Sequence, residues 1–130
     1  MNIKGIDHIG INTRDFEKTL TLYRDIFGFE ELNSVVLDDI VATYLKIPGG
    51  GRMEIFDNLG KTKHHDITQL DNGVRHLAFR VEDVEKHAQI MRDNGYEITY
   101  GPAELEDFNV RTFLIIDPNG IEVELCEPLK

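Results

Sequence analysis

The strongest constraint on this chain is that it repeats itself. The segment DHIGINTRDFEKTLTLYRDIFGFEE, from Asp7, is echoed by RHLAFRVEDVEKHAQIMRDNGYEIT, from Arg75. At an offset of 68 residues, His8 meets His76, Asp15 meets Asp83, Glu17-Lys18 meets Glu85-Lys86 and Arg24-Asp25 meets Arg92-Asp93. One deletion then aligns Gly28-Phe29-Glu30 with Gly95-Tyr96-Glu97, and GGRMEIFD pairs with NGIEVELCE so that Glu54 meets Glu124 at an offset of 70. Each half therefore carries one His early and one Glu late. A duplicated plan of this kind predicts two similarly folded modules.

Each half reads as strand, helix and three strands. In the first, Ile6–Thr13 alternates like a strand. Asp15 is placed to cap a helix from Phe16 to about Phe27, with Phe16, Leu20, Tyr23 and Phe27 on one face and Gly28 as its stop. Strands near Glu30–Leu37, Val41–Ile47 and Arg52–Phe56 follow, separated by Asp38-Asp39 and by Pro48-Gly49-Gly50-Gly51. A polar connection then leads to a strand over Val74–Val81 and a helix over Val84–Asn94 stopped by Gly95. The last three strands fall near Tyr96–Tyr100, Val110–Ile116 and Ile121–Glu127. Asp117-Pro118-Asn119-Gly120 supplies the last hairpin turn. The expected class is α+β: two βαβββ modules, about 3–57 and 74–128, joined by a linker at 58–73 within a single domain.

Strand parity then sorts the side chains. Ile9, Ile11, Met53, Ile55, Leu77, Phe79, Val81, Val123 and Leu125 form one apolar set suited to packing under the helices. The opposite set carries His8, Glu54, His76 and Glu124, together with Gly10, Asn12, Arg52, Phe56, Asn58, Ala78, Arg80, Glu122 and Cys126. Polar residues on a free sheet face are ordinarily just solvated. Solvation gives no reason for the same two residue types to recur at the same two places, although duplication of the gene alone would also preserve them. Two imidazoles and two carboxylates offer a divalent ion four donors and leave positions open for water or substrate. Mixed nitrogen and oxygen donors suit Ni, Co, Zn, Mn or Fe(II) better than Mg or Ca.

Composition narrows the partners. A net charge of −10 and an isoelectric point near 4.8 disfavour nucleic acid and anionic membrane surfaces. The start MNIKGIDHIG lacks the apolar core of a signal peptide, and no apolar run is long enough to span a membrane, so a cytoplasmic location is expected. The single Cys126 cannot form an internal disulfide.

At DHIGI, RMEIFDN, RHLAF and EVELCE the sequence resembles the vicinal oxygen chelate superfamily and, within it, the glyoxalase I branch. The resemblance spans nearly the whole chain. It implies that paired βαβββ modules form a cup-shaped mixed sheet with helices outside. It implies one divalent transition metal per site, held by His8, Glu54, His76 and Glu124. It also implies a homodimer whose site pairs His8 and Glu54 of one protomer with the partner's His76 and the partner's Glu124. The implied reaction is isomerisation of a 2-oxoaldehyde–thiol hemithioacetal to a 2-hydroxyacyl thioester through a metal-stabilised enediolate, as in methylglyoxal detoxification. Glu124 would carry the proton, with Glu54 as its partner. Relatives include epimerases, extradiol dioxygenases and binding proteins, and a carboxylate at Glu54 favours the glyoxalase branch over these. Asn58, with Asn12, Phe56, Arg80 and Cys126, is an expected substrate contact. The pattern departs at Asn12, where an Arg is usual, and in the acidic stretch Ala103–Asp107, where basic residues are usual. Both changes weaken the binding of a thiol that carries carboxylates.

Overall fold

The computed structural model describes residues 1–130, which divide into two compact units, Met1–His65 and Asp66–Lys130. Each unit has the βαβββ order and its own four-stranded sheet.

In the first unit, β1 (His8–Asn12) leads to α1 (Phe16–Leu20), which continues as a wider π-helical stretch over Thr21–Ile26. The carboxylate of Asp15 accepts from Lys18 N at 2.9 Å and caps the helix start as its position predicts. Gly28, at φ 78°, follows the last turn. Next come β2 (Glu30–Val36), β3 (Val41–Lys46) and β4 (Arg52–Asp57), and the sheet order is β1-β4-β3-β2. The core holds Leu20, Leu22 and Tyr23 of the helix with Leu45, Met53 and Ile55 of the sheet, all at most 4% exposed. Burying one such side chain contributes about 1.5–3 kcal/mol.

The second unit repeats the plan. Its elements are β5 (Leu77–Arg80), α2 (Val84–Asp93), β6 (Tyr100–Leu105), β7 (Val110–Ile116) and β8 (Glu122–Pro128), in the sheet order β5-β8-β7-β6. Asp83 caps α2 through Lys86 N, as Asp15 does through Lys18. Val84, Ala88 and Met91 of α2 are buried, as are Phe113, Ile115, Val123 and Leu125 of the sheet.

Three expectations need correction. The strands that open the two modules are shorter than the alternation predicts, because only His8–Asn12 and Leu77–Arg80 find ladder partners, in β4 and β8. The first helix does not stay α to its end. The strand expected at Tyr96–Tyr100 lies instead at Tyr100–Leu105. Gly101-Pro102 reads as a turn that should end a strand, yet the β6–β7 pairing passes through it, from Tyr100↔Leu114 to Ala103↔Thr112 with one irregularity between. Glycine makes this passage possible. At φ 80°, a Cβ on Gly101 would stand 2.4 Å from Thr112 O. Ala103–Leu105 of the acidic stretch is therefore strand, and Glu106–Phe108 forms a 3-10 turn.

No helix is long and apolar enough to cross a membrane.

The hairpin between β7 and β8 is tied by Asp117. Its buried carboxylate accepts from Asn119 N and Ile121 N, both at 2.8 Å, and from Asn119 Nδ2 at 3.1 Å. Asp117→Ala should lower unfolding stability by about 2–4 kcal/mol, the cost of leaving such amides unpaired. Urea titration of the two proteins measures this.

Candidate functional site

Each unit brings its His and Glu together. Parallel pairing of β1 with β4 sets His8 opposite Arg52 and Gly10 opposite Glu54. Pairing of β5 with β8 sets Ala78 opposite Glu124. A residue with little or no side chain thus stands across from each Glu. At Gly10 a Cβ would lie 3.3 Å from Phe56 Cε2 and 3.8 Å from Glu54 Oε1. Each carboxylate reaches toward the imidazole two residues back along the neighbouring strand. His8 Nε2 lies 3.4 Å from Glu54 Oε1, and His76 Nε2 lies 3.5 Å from Glu124 Oε1. The carboxylates are the more buried partners, with side-chain exposures of 15% and 18% against 41% and 31% for the imidazoles.

Both separations suit a shared ion. Two donors that each stand about 2.1 Å from one metal lie roughly 3.0–3.4 Å apart. The far ring nitrogen of His8 also fits, since a ligating His commonly directs its other N–H at a carboxylate or carbonyl. His8 Nδ1 lies 2.7 Å from Asp7 Oδ2, and Arg52 Nη2 donates to the same oxygen at 2.7 Å. The Asp7 carboxyl is held below its ordinary range, first by the hydrogen bond with His8 and then by Arg52. His76 Nδ1 is buried without a hydrogen-bond partner, and Glu122 Oε1 stands 3.8 Å away. Gln69 Nε2 braces the other oxygen of Glu122. Neither unit assembles three or more His, Cys, Asp or Glu side chains placed to hold an ion.

A hydroxyl holds the outer oxygen of each Glu. Tyr44 donates to Glu54 Oε2, and Thr112 Oγ1 donates to Glu124 Oε2 at 3.0 Å. The hydrogen bond to Glu54, and then burial, raise the Tyr44 pKa, so the phenol stays protonated and donates. Neither hydroxyl emerges from the repeat. The turns do contain the signal. The Pro48–Gly51 turn pairs Lys46 with Arg52 and so Tyr44 with Glu54, while the Asp117–Gly120 turn pairs Leu114 with Glu124 and Thr112 with Cys126.

In the second unit, a cavity of about 620 Å³ is lined by His76, Glu122, Glu124 and Thr112 on its polar side and by Tyr100, Leu105, Phe108, Val110 and Leu114 on its apolar side. Gln69 and Arg75 complete the lining. Arg75 donates to the Gln69 carbonyl at 3.1 Å and to its side-chain oxygen at 3.0 Å.

The expected substrate contacts divide between the units. Asn58 Nδ2 donates to Asn12 Oδ1 at 3.0 Å and to Thr62 Oγ1 at 3.1 Å, and Phe56 flanks Gly10 beside Glu54. In the second unit, Arg80 and Cys126 are register partners. Arg52 and Arg111, two cations that could take the place of the missing basic residues, are already engaged. Arg52 is bound to Asp7 and lies over the Tyr44 ring, 4.6 Å from its centroid, and Arg111 is bound to Glu85 and Glu104. His64 borders a separate small cavity of about 190 Å³ with Thr13, Arg14 and Asp57.

The sequence pattern of the Glyoxalase/Bleomycin resistance protein/Dioxygenase superfamily matches residues 5–125. The chain belongs to this superfamily. Among relatives, it is 28% identical over 126 residues to a probable lactoylglutathione lyase of Synechocystis, covering 92% of each chain. It is 29% identical over 136 aligned positions to the uncharacterized protein YwkD of Bacillus subtilis, covering 98% of this chain and 99% of that one. The crystal structure of a glyoxalase family protein from Enterococcus faecalis superposes with a TM-score of 0.81 at 29% identity, over 98% of this chain and all of that one. These likenesses establish kinship within the glyoxalase superfamily, with only weak similarity to lactoylglutathione lyase.

Cys126 shares the Glu124 face, but its thiol is pushed up by burial and then by Glu124, against a smaller opposing effect of Arg80. A raised pKa leaves little thiolate near neutrality, and the thiolate is the nucleophile. Alkylation of native Cys126 by iodoacetamide at pH 7.5 should be slower than that of free cysteine. Its rate should still climb at a pH where free cysteine has levelled off, which mass spectrometry across a pH series would record.

Proposed function

We propose that the protein is a metal-dependent isomerase of the glyoxalase I type, which converts the hemithioacetal of a 2-oxoaldehyde and a thiol into a 2-hydroxyacyl thioester. One observation carries this reading. In both repeats an imidazole Nε2 and a carboxylate Oε1 stand 3.4–3.5 Å apart, each carboxylate with its outer oxygen held by a hydroxyl. A solvated sheet face has no reason to build that arrangement twice. Kinship with a family that includes a probable lactoylglutathione lyase supports the same reaction class.

His8, Glu54, His76 and Glu124 are the donors for one divalent ion, with Ni, Co or Zn suited to the two nitrogens and two carboxylates, and Mn or Fe also admissible. In this reading both pairs serve one ion, from a single chain or from two chains in a homodimer. The bound ion would supply positive charge to the two neighbouring oxygens of the substrate as negative charge develops on them.

The residues of the chain then divide the work. His8 and His76 would hold the ion through Nε2 and act only as ligands. Asp7 orients His8, and Glu122 stands where it can do the same for His76. Glu124 removes the proton from the carbon that bears sulfur and hydroxyl, then returns it to the neighbouring carbon. The hydroxyl proton passes to the former carbonyl oxygen, so the product is an isomer and no oxidant is needed. Such a placed base contributes about 10²–10⁴ in rate. Asn12, Asn58, Phe56, Arg80 and Cys126 are proposed to contact the substrate. Methylglyoxal is the simplest aldehyde of this class.

The test is turnover of the methylglyoxal–glutathione hemithioacetal by Ni- and Zn-loaded protein, followed as thioester absorbance. Metal-dependent turnover is expected, lost on stripping the metal. Glu124→Gln should lower kcat by about 10²–10⁴ while changing metal affinity far less. Metal-replete protein that turns over neither this hemithioacetal nor those of other thiols would overturn the assignment.

A further inference from the structure

The two carboxylates of the site are held differently, and the difference is not inherited from the repeat. Tyr44 stands directly opposite Glu54 on β3, while the position directly opposite Glu124 on β7 is Leu114. The hydroxyl that reaches Glu124 comes from Thr112, two residues along the strand, and at the repeat offset of 70 its counterpart in the first unit is Ala42.

The quality of the two grips also differs. The Tyr44 hydroxyl has Glu54 Oε2 as its acceptor, and its ring is confined on two sides. The Arg52 guanidinium lies 4.6 Å from the ring centroid, and the His8 ring meets it edge-on at 6.1 Å. Arg52 is in turn anchored to Asp7, which also binds His8. Ligand, orienting carboxylate, cation and phenol thus form one closed set around Glu54. Thr112 has one hydroxyl proton and two acceptors within reach, Glu124 Oε2 at 3.0 Å and Leu125 O at 3.2 Å. Its hydrogen bond can pass to the Leu125 carbonyl whenever Glu124 moves, so a departing Glu124 leaves no buried hydroxyl unpaired.

We infer that Tyr44 is a positioning residue that fixes Glu54 as the permanent carboxylate ligand, and that the exchangeable Thr112 hydroxyl leaves Glu124 as the carboxylate able to move. This rests on the ligand set proposed above and adds to it a physical reason for the division of labour between two carboxylates of the same type. Orienting partners of this kind commonly alter metal affinity by ten- to hundredfold when removed.

The experiment compares Tyr44→Phe and Thr112→Val with the unaltered protein. It measures Zn and Co affinity by competition with a chromophoric chelator, the thermal midpoint of the metal-free proteins, and kcat at saturating metal. Tyr44→Phe should weaken metal binding tenfold or more with kcat within about threefold. Thr112→Val should leave affinity within about threefold. The double variant Glu54→Gln/Tyr44→Phe separates positioning from folding, because a loss transmitted through Glu54 vanishes in the Glu54→Gln background, whereas a loss through general destabilisation persists. Affinity within threefold for Tyr44→Phe, equal losses for both single variants, or an undiminished loss in the Gln background would each overturn the inference. Unaltered protein that binds neither ion would overturn it together with the ligand set. Protein that binds metal with the predicted pattern but turns over no hemithioacetal would leave it standing and sink only the reaction.

Discussion

The parallel pairing of the first and last strands in each module is the constraint on which the rest depends. In that register His8 faces Arg52, two before Glu54, His76 immediately precedes the first paired residue of β5, and the Glu faces Gly10 or Ala78. Any other register would separate the imidazole from the carboxylate. A slip of one residue would also turn both toward the helix and expose Met53, Ile55, Val123 and Leu125. Burial of those apolar residues therefore stabilises the same register that joins His to Glu. Packing and site geometry are a single requirement, since alternate side chains on one strand serve each.

A charge inversion between the modules follows from the same register. The residue before the His and the residue two before the Glu are Asp7 and Arg52 in the first unit, and Arg75 and Glu122 in the second. Asp7 and Arg52 meet at 2.7 Å, whereas Arg75 and Glu122 are linked through Gln69. Either arrangement supplies a carboxylate on the Nδ1 side of its imidazole, at 2.7 Å from His8 and 3.8 Å from His76. The duplicated chain has kept the His–Glu pairs alike while the groups around them have changed sign. The surroundings of the two pairs are thus unequal.

Much of the fold was legible because the relevant forces are local or periodic. Asp15 and Asp83 announce helix starts through side-chain capping, Gly28 and Gly95 announce helix ends, and alternation marks β3, β4, β7 and β8. Where the reading failed, a nonlocal contact had won over a local signal. Gly101-Pro102 carries the chemistry of a turn, but pairing with β7 continues on both sides of it, so β6 runs over Tyr100–Leu105. The first and fifth strands stop where their partners stop, which alternation within one segment cannot reveal.

For the site, the sequence by itself determined the duplicated plan, the identities of His8, Glu54, His76 and Glu124, and their common parity. A strand's side-chain period and a recurring residue pair are properties of the chain alone. Only the tertiary structure decided that each His meets its Glu at 3.4–3.5 Å, that Asp7 lies behind His8, and that Tyr44 and Thr112 hold the two carboxylates. Those relations join residues on different strands, and they depend on ladder registers and on the small residues Gly10 and Ala78 standing opposite the two Glu. Parity says which face a side chain takes, whereas distance is set by what the neighbouring strand places opposite it.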